Sequence, residues 1–173
     1  MQNRSTESGT DDPSSIDSLV GRSPAELREH NGPGKPAEHS ALGRAPKGRL
    51  LAIEPLARAH AAIRPALSLV SRRVVPWQGK GFNVDGSGGH NRVLGFEVLG
   101  FRSERGPSAF DGRPTLFLRY DEPSLCNSWP FNRIVDELRM VAGGLAVGPA
   151  SLRVRGRSLL LFWWGLEAVS AGR

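Results

Sequence analysis

The chain has 173 residues, of which 39% are hydrophobic, with 21 glycines, 13 prolines and a formal charge of +6; that leaves room for one domain and too much Gly and Pro for a helical bundle. A single cysteine, Cys126, closes no intramolecular disulfide, so a disulfide-stapled scaffold is excluded. No run of about 18 apolar residues is free of charge, because Arg58, Arg64, Arg72 and Arg73 interrupt the candidate between Leu50 and Val75, which excludes a spanning helix.

Met1 to Pro13 is polar and acidic rather than basic and then apolar, so secretion is not expected and a cytoplasmic protein is. Composition steps at Gly48: residues 1–48 hold ten hydrophobic residues, about 21%, and residues 49–173 hold 57, about 46%. Without aromatic residues and rich in Ser, Gly, Pro, Asp and Glu, residues 1–48 are expected to be a disordered tail, since their burial cannot offset chain entropy. One short helix is expected within it. Ser23 stands as N-cap, Pro24 at the first helical position and Glu26 three after the cap, with Asn31-Gly32 as the stop.

Charge divides at the same place. Residues 1–48 carry six basic and seven acidic residues, and residues 49–173 carry 17 basic and ten acidic, hence +7. Sixteen of those 17 are Arg, scattered at positions such as Arg92, Arg113, Arg119, Arg133 and Arg153 rather than in a run, so a solvated basic surface is expected and specific nucleic-acid binding is not.

In the segment 49–75, Ile53, Leu56, Ala57, Ile63, Leu67 and Val70 recur at helical spacing, with Arg58, Arg64 and Ser68 off that face. The pattern predicts an amphipathic helix that Pro65 kinks or divides. It either packs on a sheet or lies on a membrane surface as a peripheral contact.

From residue 76 to 173 the period changes to two, punctuated by Gly and Pro. Arg92–Arg102, Thr115–Tyr120, Phe131–Val141, Leu145–Val154 and Ser158–Glu167 read as strands, the third also compatible with a helix, and Arg155-Gly156-Arg157 as a tight hairpin. Five or six sequential strands imply a mainly β domain, a small antiparallel β-barrel or strongly curved sheet covered by the kinked helix. The run Leu159 to Leu166 does not alternate with polar residues, so both of its faces must be covered: one by the barrel interior, the other by a helix, a second chain or a ligand.

Nucleotide motifs fail on inspection. Trp77-Gln78-Gly79-Lys80-Gly81-Phe82 has Val74 and Gly81 where a phosphate loop needs glycine and a hydroxyl, and Gly86-Ser87-Gly88-Gly89 has Asn91 where a dinucleotide fingerprint needs glycine, so it reads as a flexible turn. The four histidines, His30, His39, His60 and His90, have no zinc spacing; no metal, no cofactor and no catalytic residue is assigned. Asp136-Glu137-Leu138-Arg139 alternates on a strand, so Asp136 shares a face with Leu138 and Glu137 with Arg139. A buried acid there needs a counter-ion on another strand, with Arg119 or Arg153 as candidates.

Trp77 to Phe82, Tyr120-Asp121-Glu122-Pro123, Asp136 to Arg139, Gly148 and Phe162 to Glu167 together resemble a group of bacterial uncharacterised proteins similar to the GXWXG and adjoining domain-of-unknown-function group. The resemblance spans residues 76–167 and implies a calycin-like, lipocalin-like barrel, without implying an activity. The chain departs from that pattern in lacking glycine two before Trp77 and in inserting Leu125 to Phe131.

The resulting expectation is a non-enzymatic barrel that binds a small apolar or amphipathic, lipid-like ligand such as a fatty acid, lined by Trp77, Phe96, Phe117, Trp163 and Trp164, with an inward charge at Asp136 or Arg139. Two alternatives stand beside it. One is a solid-cored interaction module, a homodimer through the last strand; the other is an enzyme using Asp136 or Glu137 as general acid or base.

Overall fold

Alternation of inward and outward side chains between turns containing residues of positive φ builds the architecture of this chain. A computed structural model describes residues 13–54 and 76–169. The strands are β1 (Lys35–Pro36), β2 (Lys47–Ile53), β3 (Trp77–Phe82), β4 (Gly88–Val93), β5 (Phe96–Pro107), β6 (Pro114–Arg119), β7 (Ile134–Ala142), β8 (Leu145–Val154) and β9 (Arg157–Glu167). From β2 onward each pairs antiparallel with its successor, and β9 returns to β2 between Lys47↔Glu167 and Ile53↔Phe162. The result is a closed, eight-stranded, up-and-down β-barrel, whose circuit leaves no edge to template aggregation. β1 adds a short ladder to β7, opposite Arg139 and Met140, beyond the last β6 pairing at Leu138.

The turns follow from local stereochemistry. Arg155 (φ 48°) and Gly156 (φ 77°) are both left-handed, as a two-residue hairpin that matches strand twist requires, and Leu94 (φ 51°) and Gly95 (φ 82°) repeat the device between β4 and β5. Closure of β2 onto β3 needs two glycines. A Cβ on Gly48 would meet Gly79 Cα and stand 2.7 Å from the Trp77 ring, and Gly79 itself has φ 131°.

The barrel interior divides along its axis. Toward the end that carries the β3–β4, β5–β6 and β7–β8 turns, Phe82, Phe101, Leu116, Leu118, Leu138 and Leu166 are buried in one packed cluster, closed over by Ala37 and Leu42. A second cluster lies outside the barrel wall: Ile16 and Leu19 of α1 (Ile16–Leu19) and Leu27 of α2 (Pro24–Asn31) pack with Leu51, Leu145, Val147 and Trp163. β9 thus has both faces covered, Trp164 and Leu166 inward and Trp163 outward.

Several expectations are corrected. Residues 13–48 are not a disordered tail: they contribute α1, α2, β1, the short helix α3 (His39–Leu42) and the first residues of β2, and Ile16, Leu19, Leu27 and Ala37 are fully buried. Sparse apolar residues suffice because the large ones, Ile16, Leu19, Leu27 and Leu42, all make core contacts. The boundary placed at residue 48 falls inside β2, and Leu50–Ile53 is strand rather than helix; residues 55–75 of the expected kinked helix, and residues 1–12, lie outside the described residues. The strand read across Arg92–Arg102 is two strands with a turn at Leu94-Gly95, and Phe131–Arg133 is a 3-10 turn ahead of β7. Gly88 and Gly89 belong to β4 rather than to a flexible turn. The α2 helix is as predicted, with a capping box between Ser23 and Glu26.

Candidate functional site

Above the packed half, the barrel is hollow. A cavity of about 360 Å³ opens toward the end where β2, β4 and β6 finish and β3, β5 and β7 begin. Its walls are Leu50, Ile53, Val93, Leu99, Phe131, Ile134 and Phe162, with Trp77 and Trp164 crossing edge to face at 5.7 Å. At the level where the solid half begins, four polar side chains form a floor: Lys80, Asn91, Tyr120 and Asp136.

Lys80 is held there by a bulge. Trp77 pairs with Val93 and Gly79 with Arg92, so Gln78 is an extra residue on β3, and the irregularity puts Trp77 and Lys80, three positions apart, on the same inner face. Lys80 Nζ donates to Asp136 Oδ2 at 2.9 Å, to Tyr120 OH at 2.6 Å and to Asn91 Oδ1 at 3.0 Å. Tyr120 OH donates in turn to Asp136 Oδ2 at 2.9 Å. Asn91 accepts at Oδ1 from the Trp77 indole at 3.1 Å and donates through Nδ2 to Leu99 O and Tyr120 OH, both at 3.1 Å. The ammonium also lies 4.6 Å from the centre of a Trp164 ring and 5.0 Å from that of Phe101.

Electrostatics follow from the burial. Removal from water pushes the Lys80 ammonium below its ordinary value, and the adjacent Asp136 charge opposes that shift. The Tyr120 phenol is held well above its ordinary value, by burial first and by the Asp136 charge second, so it remains a donor. Lys80 and Asp136 form an ion pair whose side chains are 2% and 6% exposed, a costly arrangement to bury and one that confers little net stability by itself.

Of the seven residues expected to line a pocket, the structure brings three together at the cavity: Trp77, Asp136 and Trp164. Trp163 sits in the outer cluster under α1 and α2. Phe96 is 71% exposed beside the β4–β5 turn, and Phe117 points outward against Gly106. Arg139 is fully buried, yet outside the barrel lumen. Its Nη1 and Nη2 clasp the Asp111 carboxylate at 2.7 and 2.6 Å, Nη1 reaches Asn31 Oδ1, and Nε and Nη2 donate to Pro114 O and Arg113 O. That saturated guanidinium ties α2 and the β5–β6 turn to β7. Glu137 also faces out and accepts from Ala109 N at 3.1 Å.

The counter-ion of the inward acid is Lys80, not Arg119 or Arg153. Arg119 pairs with Glu104 and Asp121 on the surface, and Arg153 approaches Asp121. Lys80, Asn91 and Tyr120 carry the floor and are not among the seven lining residues expected from sequence. A signal existed: Lys80 is the one lysine among the 17 basic residues of 49–173, and Tyr120 is the one tyrosine of the chain.

No protein-family model and no curated protein matches the chain. Among solved structures, a protein from Thermomonospora curvata is similar, with a TM-score of 0.49 and 16% identity over 89% of this chain and 93% of that one. No helix among the described residues is long and apolar enough to cross a membrane.

Proposed function

We propose that the barrel is a binding protein for one small, largely apolar molecule, taken into the open half of the lumen with its polar end on the floor of Lys80, Asp136, Tyr120 and Asn91. The observation that carries this reading is the division of the lumen: the same barrel is packed solid in one half and hollow in the other, with a hydrogen-bonded polar layer between. A protein that needed only a core would extend the packed half. About 360 Å³ is room for roughly twelve groups of water size, and apolar walls with a few convergent polar atoms are what small-molecule sites present. The lipocalin-like relation expected from the resemblance over residues 76–167 belongs to this proposal.

Native mass spectrometry of the full chain, followed by denaturing extraction, tests it. A stoichiometric small molecule that is released intact on denaturation is the expected result. An empty protein that also takes up no apolar probe would contradict it. Extraction of a converted product would move the reading to catalysis, for which Asp136 is the one carboxylate among the described cavity residues.

A further inference from the structure

The floor is almost a closed circuit. All three N–H bonds of Lys80 are committed, the two Asn91 amide hydrogens go to Leu99 O and Tyr120 OH, and the Trp77 indole is taken by Asn91. Asp136 gives only Oδ2 to the network; its Oδ1 accepts no hydrogen bond among the described residues, although the side chain is 6% exposed and lines the cavity. Unlike the Trp164 indole N–H, that oxygen is not sealed from the lumen, so a donor that enters the cavity can reach it, and a ligand hydroxyl there takes the place of water.

Charge narrows the choice of what answers it. Lys80 and Asp136 are the only charged side chains among the described residues that line the cavity, and they neutralise each other at 2.9 Å. A carboxylate ligand, such as a fatty acid, would bring a second negative charge against Asp136 Oδ1 and find no uncommitted cation. The indole N–H of Trp164, buried and without an acceptor among the described residues, is neutral and supplies no charge to offset it. An ammonium ligand would place a second positive charge beside Lys80. A hydroxyl satisfies the free oxygen and leaves the site neutral.

Building on the reading of the cavity as a ligand site, we propose that its ligand is an uncharged amphiphile whose polar end donates a hydrogen bond to Asp136 Oδ1, an alcohol in the simplest case, and that the cavity discriminates against fatty carboxylates of the same length. The proposal puts an uncharged head in place of the fatty acid's carboxylate while keeping the apolar chain.

The test is calorimetric titration of the full chain at neutral pH with decan-1-ol, sodium decanoate and decylammonium chloride, three ligands of one chain length. Decan-1-ol should bind at least tenfold more tightly than either ion. Equal or tighter binding of decanoate or decylammonium would overturn the proposal while leaving the binding reading intact; no binding of any of the three would overturn both. Asp136→Asn removes the compensating charge from Lys80, so the folded variant should invert the order and favour decanoate. A folded Asp136→Asn that still prefers decan-1-ol to decanoate by the same factor would also overturn it, and the comparison on the unmodified protein stands if the variant does not fold.

Discussion

Lys80 and Asp136 set the terms at the scale of single residues. Removing one partner of a buried pair strands the other, so Lys80→Met should lower stability by about 3–5 kcal/mol in urea unfolding, whereas Lys80→Met with Asp136→Leu should recover most of that loss. If the double variant is as unstable as the single one, the floor contributes to folding more than the ion pair alone explains. Two carboxylates outside the lumen, Glu137 on β7 and Asp111 in the β5–β6 turn, act oppositely with pH. Burial raises the Glu137 carboxyl above its ordinary 4.5, so the native state resists its ionisation: stability is greatest below that value and declines as pH rises through the folded value. Glu137→Gln should flatten that decline in thermal melts taken from pH 4 to 8. Asp111 is the reverse. The Arg139 guanidinium holds its carboxyl well below the ordinary range, so its contribution is present above about 4 and disappears as pH falls through the folded value. Asp111→Asn should therefore destabilise the protein at neutral pH, by about 1–2 kcal/mol because Asp111 is partly exposed and Arg139 keeps its bonds to Asn31, Pro114 and Arg113, and converge on the parent in strong acid.

Elements are positioned by a few close approaches. Gly48 and Gly79 lie back to back where β2 meets β3, with the Trp77 ring against Gly48. Gly48→Val should loosen that seam and displace Trp77, seen as a shifted tryptophan emission together with a lower melting temperature; an unchanged spectrum would mean that Trp77 is held from the Asn91 side alone. On the outer wall, Leu27→Ala should cost about 2–5 kcal/mol, because Leu27 is fully buried among α1, β8 and β9. Where local chemistry is self-sufficient, the elements are legible in the chain. The Ser23–Glu26 capping box, the Arg155-Gly156 hairpin and the two-faced run from Leu159 to Leu166 each carry their own instruction. Three features are not legible because they depend on distant partners. The bulge at Gln78 exists only against β4, the strand at Leu50–Ile53 only against β9, and the burial of Ile16, Leu19 and Leu27 only against the finished barrel wall. A mean composition over residues 1–48 hides five well-spaced core contacts.

Across the whole molecule, one barrel wall serves two purposes. Its closed half is a conventional core, and its open half is shaped space above a neutral polar layer. The mainly antiparallel barrel follows from period-two alternation and short turns, so the fold class is readable from the chain. That Asp136 shares a strand face with Leu138 is readable as well, but that this face rather than the one carrying Arg139 turns inward is set by the barrel. Its counter-ion is not, because Lys80 lies 56 residues away on β3 and reaches the lumen only through the bulge. The aromatic residues illustrate the same limit: Trp163 and Trp164 are adjacent and equally apolar, and only strand register sends one to the wall and the other to the lumen.

A crystal structure of the full chain grown with decan-1-ol would examine the cavity most directly. Continuous density should run between Trp77, Phe162 and Ile134, ending in an oxygen at about 2.7 Å from Asp136 Oδ1, with Lys80 still bound to Asp136, Tyr120 and Asn91. A lumen filled by its own side chains, or an alkyl chain bound elsewhere on the surface, would contradict the assignment of this cavity as a ligand site.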